Sequence, residues 1–210
     1  MLNYKGILNS GFFAKTLKMT AFGGLTLVML SGCGVQSIPT AKNEVEASLA
    51  EVTNQYKRRA DLIPNLVSVV KGYASHEKDT LEAVISARAK ATQITVDPTK
   101  LDAKKIQEFQ AAQGGLSQAL GRLMVVAEKY PNLKADQNFK DLQVQLEGTE
   151  NRITVARNRY IETIKGFNNL VSVPPTSWTN SLLYHFEKMP QWTVAESERE
   201  QIEQAPKVEF

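Results

Sequence analysis

Apolar residues recur at intervals of three and four along most of this chain. From Asn43 onward, Val45, Leu49, Val52 and Tyr56 take 4-3-4 spacing, and Ile63, Val67 and Val70 resume it. Lys57, Arg58, Arg59 and Asn65 fall between them, with Lys71 just beyond. This is one apolar stripe on an otherwise polar helix. Pro64 sits within the stripe. An interior proline supplies no N–H and crowds the carbonyl four residues back. Two arrangements fit. One helix ends near Ala60 and a second, capped by Asp61, runs to about Ala91. Alternatively, one long helix is kinked at Pro64.

The stripe continues through Leu81, Val84 and Ile85 to Ala91, and Thr92 to Asp102, with Val96-Asp97-Pro98, reads as a loop. Lys104 to Tyr130 is again helical, with Ile106, Phe109, Leu116, Leu120, Leu123 and Ala127 on one side. Gly114-Gly115 lies inside it, at about 1 kcal/mol per glycine relative to alanine, which signals a close helix crossing or a local bend. Pro131-Asn132-Leu133 stops this helix, and Asp136 can cap the next. Phe139, Leu142, Leu146, Ile153, Tyr160, Ile164 and Phe167 then mark a helix about 45 Å long. No comparable stretch alternates as a strand would. The fold expected for residues 43–172 is all-α, an antiparallel bundle of about four long helices. Val173-Pro174-Pro175-Thr176 ends it. Within 173–210, the aromatic stretch Ser177 to Trp192 either packs over the bundle or touches a membrane interface, where Trp and Tyr are favoured. The polar stretch Ala195 to Phe210 reads as a flexible tail.

The N-terminal segment has a different pattern. Lys5, Lys15 and Lys18 precede Met19–Leu30, an uncharged run of 12 residues. A spanning helix needs roughly 20. Small Ser31 and Gly32 follow, then Cys33, the single cysteine. Basic, apolar, small is the order of a secretory signal, and Leu30-Ser31-Gly32-Cys33 resembles a bacterial lipobox. That resemblance makes 1–32 a lipoprotein signal peptide and 33–42 a lipidated tether. Cleavage would leave Cys33 first, with a thioether-linked diacylglycerol and an acylated amine. Two or more acyl chains anchor stably where one is marginal. Gly34, in place of an aspartate, resembles sorting to the outer membrane where an envelope has one.

Processing also changes the charge. The chain carries +3, and all three signal lysines lie before Cys33, so its 25 basic residues fall to 22 against 22 acidic ones. A neutral protein with no basic face is not expected to bind nucleic acid. Lipidation of Cys33 leaves no thiol for a disulfide, a nucleophile or a zinc site. His76-Glu77-Lys78-Asp79-Thr80 starts like a zinc-protease helix motif, but Thr80 stands where the second histidine is required. No Glu-x-x-His and no phosphate-binding glycine loop occurs. No enzyme activity and no cofactor are expected.

Two polar features remain. Arg58-Arg59-Ala60-Asp61, with Asn65, is either a contact surface for a partner or headgroup, or a solvated face with a local Arg–Asp pair. Glu147 and Glu150 have no basic residue three or four positions on. That leaves open a site for a metal ion or small ligand between helices.

The run Arg58-Arg59-Ala60-Asp61-Leu62-Ile63-Pro64-Asn65-Leu66-Val67, then Val70-Lys71-Gly72-Tyr73 and His76-Glu77, resembles the signature of the LemA family. Ala87-Arg88-Ala89, the stretch Ala127-Glu128-Lys129-Tyr130-Pro131-Asn132-Leu133-Lys134-Ala135, and Leu146 to Ile153 follow in the family's order. Ala156-Arg157, Tyr160 and the closing Val208-Glu209-Phe210 complete the set. The resemblance implies a helical bundle held at a bacterial membrane, facing away from the cytoplasm, with no agreed enzymatic activity. LemA proteins commonly begin with a spanning helix, whereas this chain has a lipoprotein-like signal there. The resulting expectation is a non-enzymatic interaction or scaffold module, joined to the membrane through Cys33 and to an envelope protein through its surface.

Overall fold

The structure is a computed structural model and describes residues 35–100 and 102–192. Cys33, the signal segment before it and the polar tail from Ala195 lie outside the described residues. The main elements are α1 (Ser37–Tyr73), α2 (Lys78–Gln93), α3 (Ala103–Ala127) and α5 (Gln137–Ser172), with a short α4 (Pro131–Ala135) before α5. α6 (Thr176–Thr179) runs on into one wider helical turn, Asn180–Tyr184. Every regular element among the described residues is helical, as the spacing predicts.

The described residues divide into two compact units, one of residues 35–40 and 169–187 and the other of residues 41–168 and 188–192. In the larger unit, cross-helix partners fix the directions. Ser48 meets Thr163 at 2.8 Å and Arg59 meets Glu150 at 2.9 Å. One number rises as the other falls, so α1 and α5 are antiparallel. Tyr56 packs edge-on to Phe109 and Arg59 bonds Gln113, both numbers rising, so α1 and α3 run in the same sense. Up, down, up, down is the order expected of short connections. Ile63, Leu66, Val70, Leu81, Val84, Leu116, Leu123 and Leu133 form the core at the end of the bundle where α1 gives way to α2.

Pro64 does not interrupt α1, which runs unbroken to Tyr73. The interruption lies instead at Ala74–Glu77. There Ala74 N–H closes on Val70 and Glu77 N–H on Ala74, before α2 starts at Lys78. The two glycines of α3 are not a close crossing. A Cβ added at Gly114 or Gly115 would meet nothing within 4 Å. Asp136 caps as expected, accepting from Phe139 N–H at 2.9 Å, whereas Asp61 lies inside α1, and Asp102, not expected as a cap, accepts from Lys104 N–H at 2.9 Å. Pro131 sits in the first turn of α4, where its missing donor costs little.

The smaller unit begins earlier than the stripe suggests. α1 starts at Ser37 rather than Asn43, with Ile38 fully buried. Pro39 falls in the first turn, where proline is tolerated. In the same unit Asn180 is buried and closes the turn that carries it. Its side-chain amide donates to the Phe186 carbonyl at 2.9 Å and accepts from the Phe186 N–H at 3.0 Å.

Candidate functional site

The arginine pair of α1 is divided by the helix. Arg58, Asp61 and Asn65 are exposed and lie three and four residues apart, which places them on one outward stripe. Arg59 is turned inward and is only 2% exposed. The reading of Arg59 as part of a partner surface is therefore corrected. It follows Val52 and Tyr56 and precedes Ile63 at the same 4-3-4 spacing, so it occupies a core position.

A buried cation costs several kcal/mol unless it is paired and hydrogen-bonded. Arg59 is supplied from two other helices. One terminal nitrogen donates to Ser117 Oγ at 2.8 Å and Glu150 Oε2 at 2.9 Å. The other donates to the Gln113 carbonyl at 3.2 Å and Gln113 Oε1 at 2.9 Å. The guanidinium also lies 5.0 Å from the Tyr56 ring centroid, within cation–π range. Gln113 continues the chain of bonds, donating to the Ala91 carbonyl at 3.2 Å. The network thus joins α1, α3, α5 and the end of α2. Gln113 and Ser117 were not foreseen, although Gln113 falls at a core interval between Phe109 and Leu116.

This arrangement assigns Glu150. Its partner is Arg59, 91 positions earlier, rather than a residue one turn away. Glu147 is exposed and accepts from Gln143 within α5. Among the described residues no three His, Cys, Asp or Glu side chains form a group that could hold a metal ion. His76 lies exposed in the turn between α1 and α2 and not on a helix.

Other motif residues likewise bind one element to another. Arg88 Nε donates to the Ala60 carbonyl at 2.8 Å. Tyr130 Oη donates to Glu77 at 3.0 Å, and that bond holds the Tyr130 hydroxyl above its ordinary pKa. Tyr73 Oη donates to Asp136 at 2.9 Å. The Phe139 N–H and then the Tyr73 hydroxyl depress the Asp136 carboxyl, while Asp136 raises Tyr73.

The family model described as LemA family matches residues 48–210. This chain belongs to the LemA family. It is 25% identical to Protein LemA of Metamycoplasma hominis over 162 residues, covering 77% of this chain and 68% of that protein. It is also 37% identical over 57 residues to Magnetosome protein MamQ 2 of Paramagnetospirillum magneticum, covering 27% of this chain and 21% of that protein. Magnetosome protein MamQ 1 of the same organism matches to the same extent. In this LemA-family chain, no helix among the described residues is long and apolar enough to cross a membrane.

One residue of the exposed stripe adjoins a hollow. Asp61 borders an open groove of about 410 Å3 between α1, the loop after α2 and α3, with Lys57, Thr95, Val96 and Phe109 also lining it. Its walls offer apolar and polar contact with one carboxylate and one ammonium at the rim.

Proposed function

We propose that this protein is a lipid-anchored, non-enzymatic interaction module of the bacterial envelope. Residues 1–32 serve as its signal, acylated Cys33 as its anchor and the helical bundle as its binding body. It faces away from the cytoplasm, in the outer membrane where the envelope has one. The supporting observation is the use made of the motif's polar residues. Arg59, Arg88, Tyr73, Glu77, Tyr130 and Glu150 bond elements of the fold to one another. Arg58, Asp61 and Asn65 of the motif face outward, and Asp61 borders the groove. A site of this kind holds a partner and does not transform a substrate.

The test is a photo-crosslinking residue at Asn65 in the membrane-bound protein, with exposed Val144 on α5 as the control position. The expected result is one discrete protein adduct from position 65. It should be absent from position 144 and lost in Arg58→Glu/Asp61→Lys. Equal labelling of abundant lipoproteins from both positions would overturn the reading. Mass spectrometry of the mature N-terminus tests the anchor separately. A diacylated or triacylated Cys33 peptide is expected, and an intact Met1 would refute it.

A further inference from the structure

We infer that the smaller unit carries a second, protein-borne membrane contact, formed by Trp178, Leu182 and Leu183, which seats this unit in the lipid interface. The inference rests on the anchored reading above and adds a surface to it.

The first observation is exposure that is built in. Trp178, Leu182 and Leu183 are 65%, 78% and 57% exposed. They are not loose ends. α6 passes directly into the turn Asn180–Tyr184, which closes with His185 N–H on the Asn180 carbonyl at 2.8 Å. That is a spacing of five, so Trp178, Leu182 and Leu183 emerge on the same side. The buried Asn180 side chain clamps Phe186 from both its N–H and its carbonyl. His185 takes the left-handed conformation, φ 55°, which ends the turn. The fold spends a buried polar clamp on holding two leucines and a tryptophan in the open.

The second observation is charge. No Asp, Glu, Lys or Arg occurs from Gly166 to Phe186, a run of 21 residues. None occurs from Met19 to Ala41 either, a run of 23 residues. In a chain with 47 such residues in 210, the described residues of this unit, 35–40 and 169–187, carry one, Glu187 at its edge. Docking onto another protein would favour charged or polar groups around the apolar centre. A lipid interface rewards apolar and aromatic side chains without formal charge and places Trp at headgroup depth.

The third observation fixes the direction. Tyr184 Oη donates to the Val35 carbonyl at 2.6 Å. This ties the residue next to Leu183 to a point two residues from Cys33. Two residues span at most about 7 Å. An acyl chain on Cys33 enters the bilayer beside this surface, so the apolar side chains need no separate attraction to reach the interface. The occupant is accordingly the lipid bilayer that holds the anchor.

The experiment uses the full-length protein, processed in cells, purified from membranes and reconstituted in phosphatidylethanolamine–phosphatidylglycerol vesicles. Trp192→Phe leaves Trp178 as the single reporter, and Trp178→Phe leaves Trp192, which is 8% exposed and packs edge-on to Tyr160. Lipids brominated near the headgroup end of the chain should quench Trp178 clearly, because a tryptophan in this surface sits at interfacial depth. They should leave Trp192 nearly unchanged. Leu182→Glu/Leu183→Glu alters only exposed side chains and should abolish the quenching of Trp178. Unquenched Trp178 in a protein whose Cys33 is acylated by mass spectrometry would overturn the surface and leave the anchor intact. A blue shift of Trp178 that depends on protein concentration and not on lipid would overturn it in favour of self-association. Quenched Trp178 in a protein lacking the acyl group would support the surface while refuting the anchor.

Discussion

Arg88 Nε donates to the carbonyl of Ala60 at 2.8 Å, the carbonyl left without its helical donor by Pro64. In an α-helix the N–H of residue 64 would bond this oxygen, and proline has none. A side chain from α2 supplies the missing donor, so α1 passes through the proline unbroken. Arg88→Met should therefore cost about 1–3 kcal/mol, the penalty for an unsatisfied buried acceptor. In a Pro64→Ala background the N–H is restored and the same substitution should cost clearly less. Urea denaturation of the four proteins gives the coupling directly, and additive effects would refute the relationship.

Gln113 holds Arg59 in place, and its removal should be the most damaging change in the polar network. Gln113→Leu withdraws one acceptor from a guanidinium that is almost fully buried and one donor from the Ala91 carbonyl. The expected loss approaches the 3–5 kcal/mol typical of a buried charge deprived of a partner. Glu150→Ala should cost less, about 1–3 kcal/mol, because the Glu150 side chain is 53% exposed and water can take its place beside the cation. Arg59→Met combined with Gln113→Leu replaces both partners by apolar groups and should recover most of the loss. Chemical denaturation ranks the variants, and a double mutant less stable than Gln113→Leu alone would contradict this account.

Acid should loosen the junction of α1 and α5 through Asp136. Its carboxylate accepts from the Phe139 N–H and the Tyr73 hydroxyl, and its folded pKa lies below the ordinary 3.8. Near and below 3.8 the unfolded chain binds more protons than the folded one. The stabilisation is therefore complete above that value and lost as pH falls through the folded pKa. Asp136→Asn keeps a capping oxygen and removes the titration. Denaturation midpoints measured between about pH 5 and pH 2 should fall less steeply in this variant. A residual slope is expected from Asp97, whose carboxyl is lowered by its bonds to Thr99.

The bundle was legible because its long helices carry the 4-3-4 stripe with little interference. The site was less legible, and one habit of reading accounts for much of that. Arg59, Gln113 and Thr149 stand at stripe intervals yet are polar, and all three are buried. A stripe drawn through apolar residues alone steps over them. A polar residue in phase with the core is itself the sign of a network. The break at Ala74–Glu77 carries no proline and only weak turn formers, whereas Pro64 carries a strong breaker signal that a side chain 24 residues later neutralises. Such compensation is a property of packing and is invisible along the chain. The aromatic stretch was divided by tertiary contact. Trp192 stacks under Arg157 at 5.6 Å and against Tyr160, while Trp178 is left outside.

Tyr160 provides an alkaline counterpart to Asp136. Its ring is fully buried against Trp192, and its hydroxyl has no hydrogen-bond partner among the described residues. Burial alone pushes its pKa from 10.0 to about 12. The folded state thus keeps the phenol proton more tightly than the unfolded state does. The stability this confers is whole below pH 10.0 and is lost as pH rises from there through about 12. Tyr160→Phe removes the titrating group and, with it, an orphaned polar atom. It should raise stability at neutral pH by about 1 kcal/mol, since an unsatisfied buried hydroxyl is a net cost. It should also flatten the decline above pH 10.0. Phenolate absorbance against pH supplies the independent check: one tyrosine of the folded protein should ionise only as the fold gives way, and that late component should vanish in Tyr160→Phe. A loss of stability at neutral pH in the variant would mean that the hydroxyl is satisfied after all.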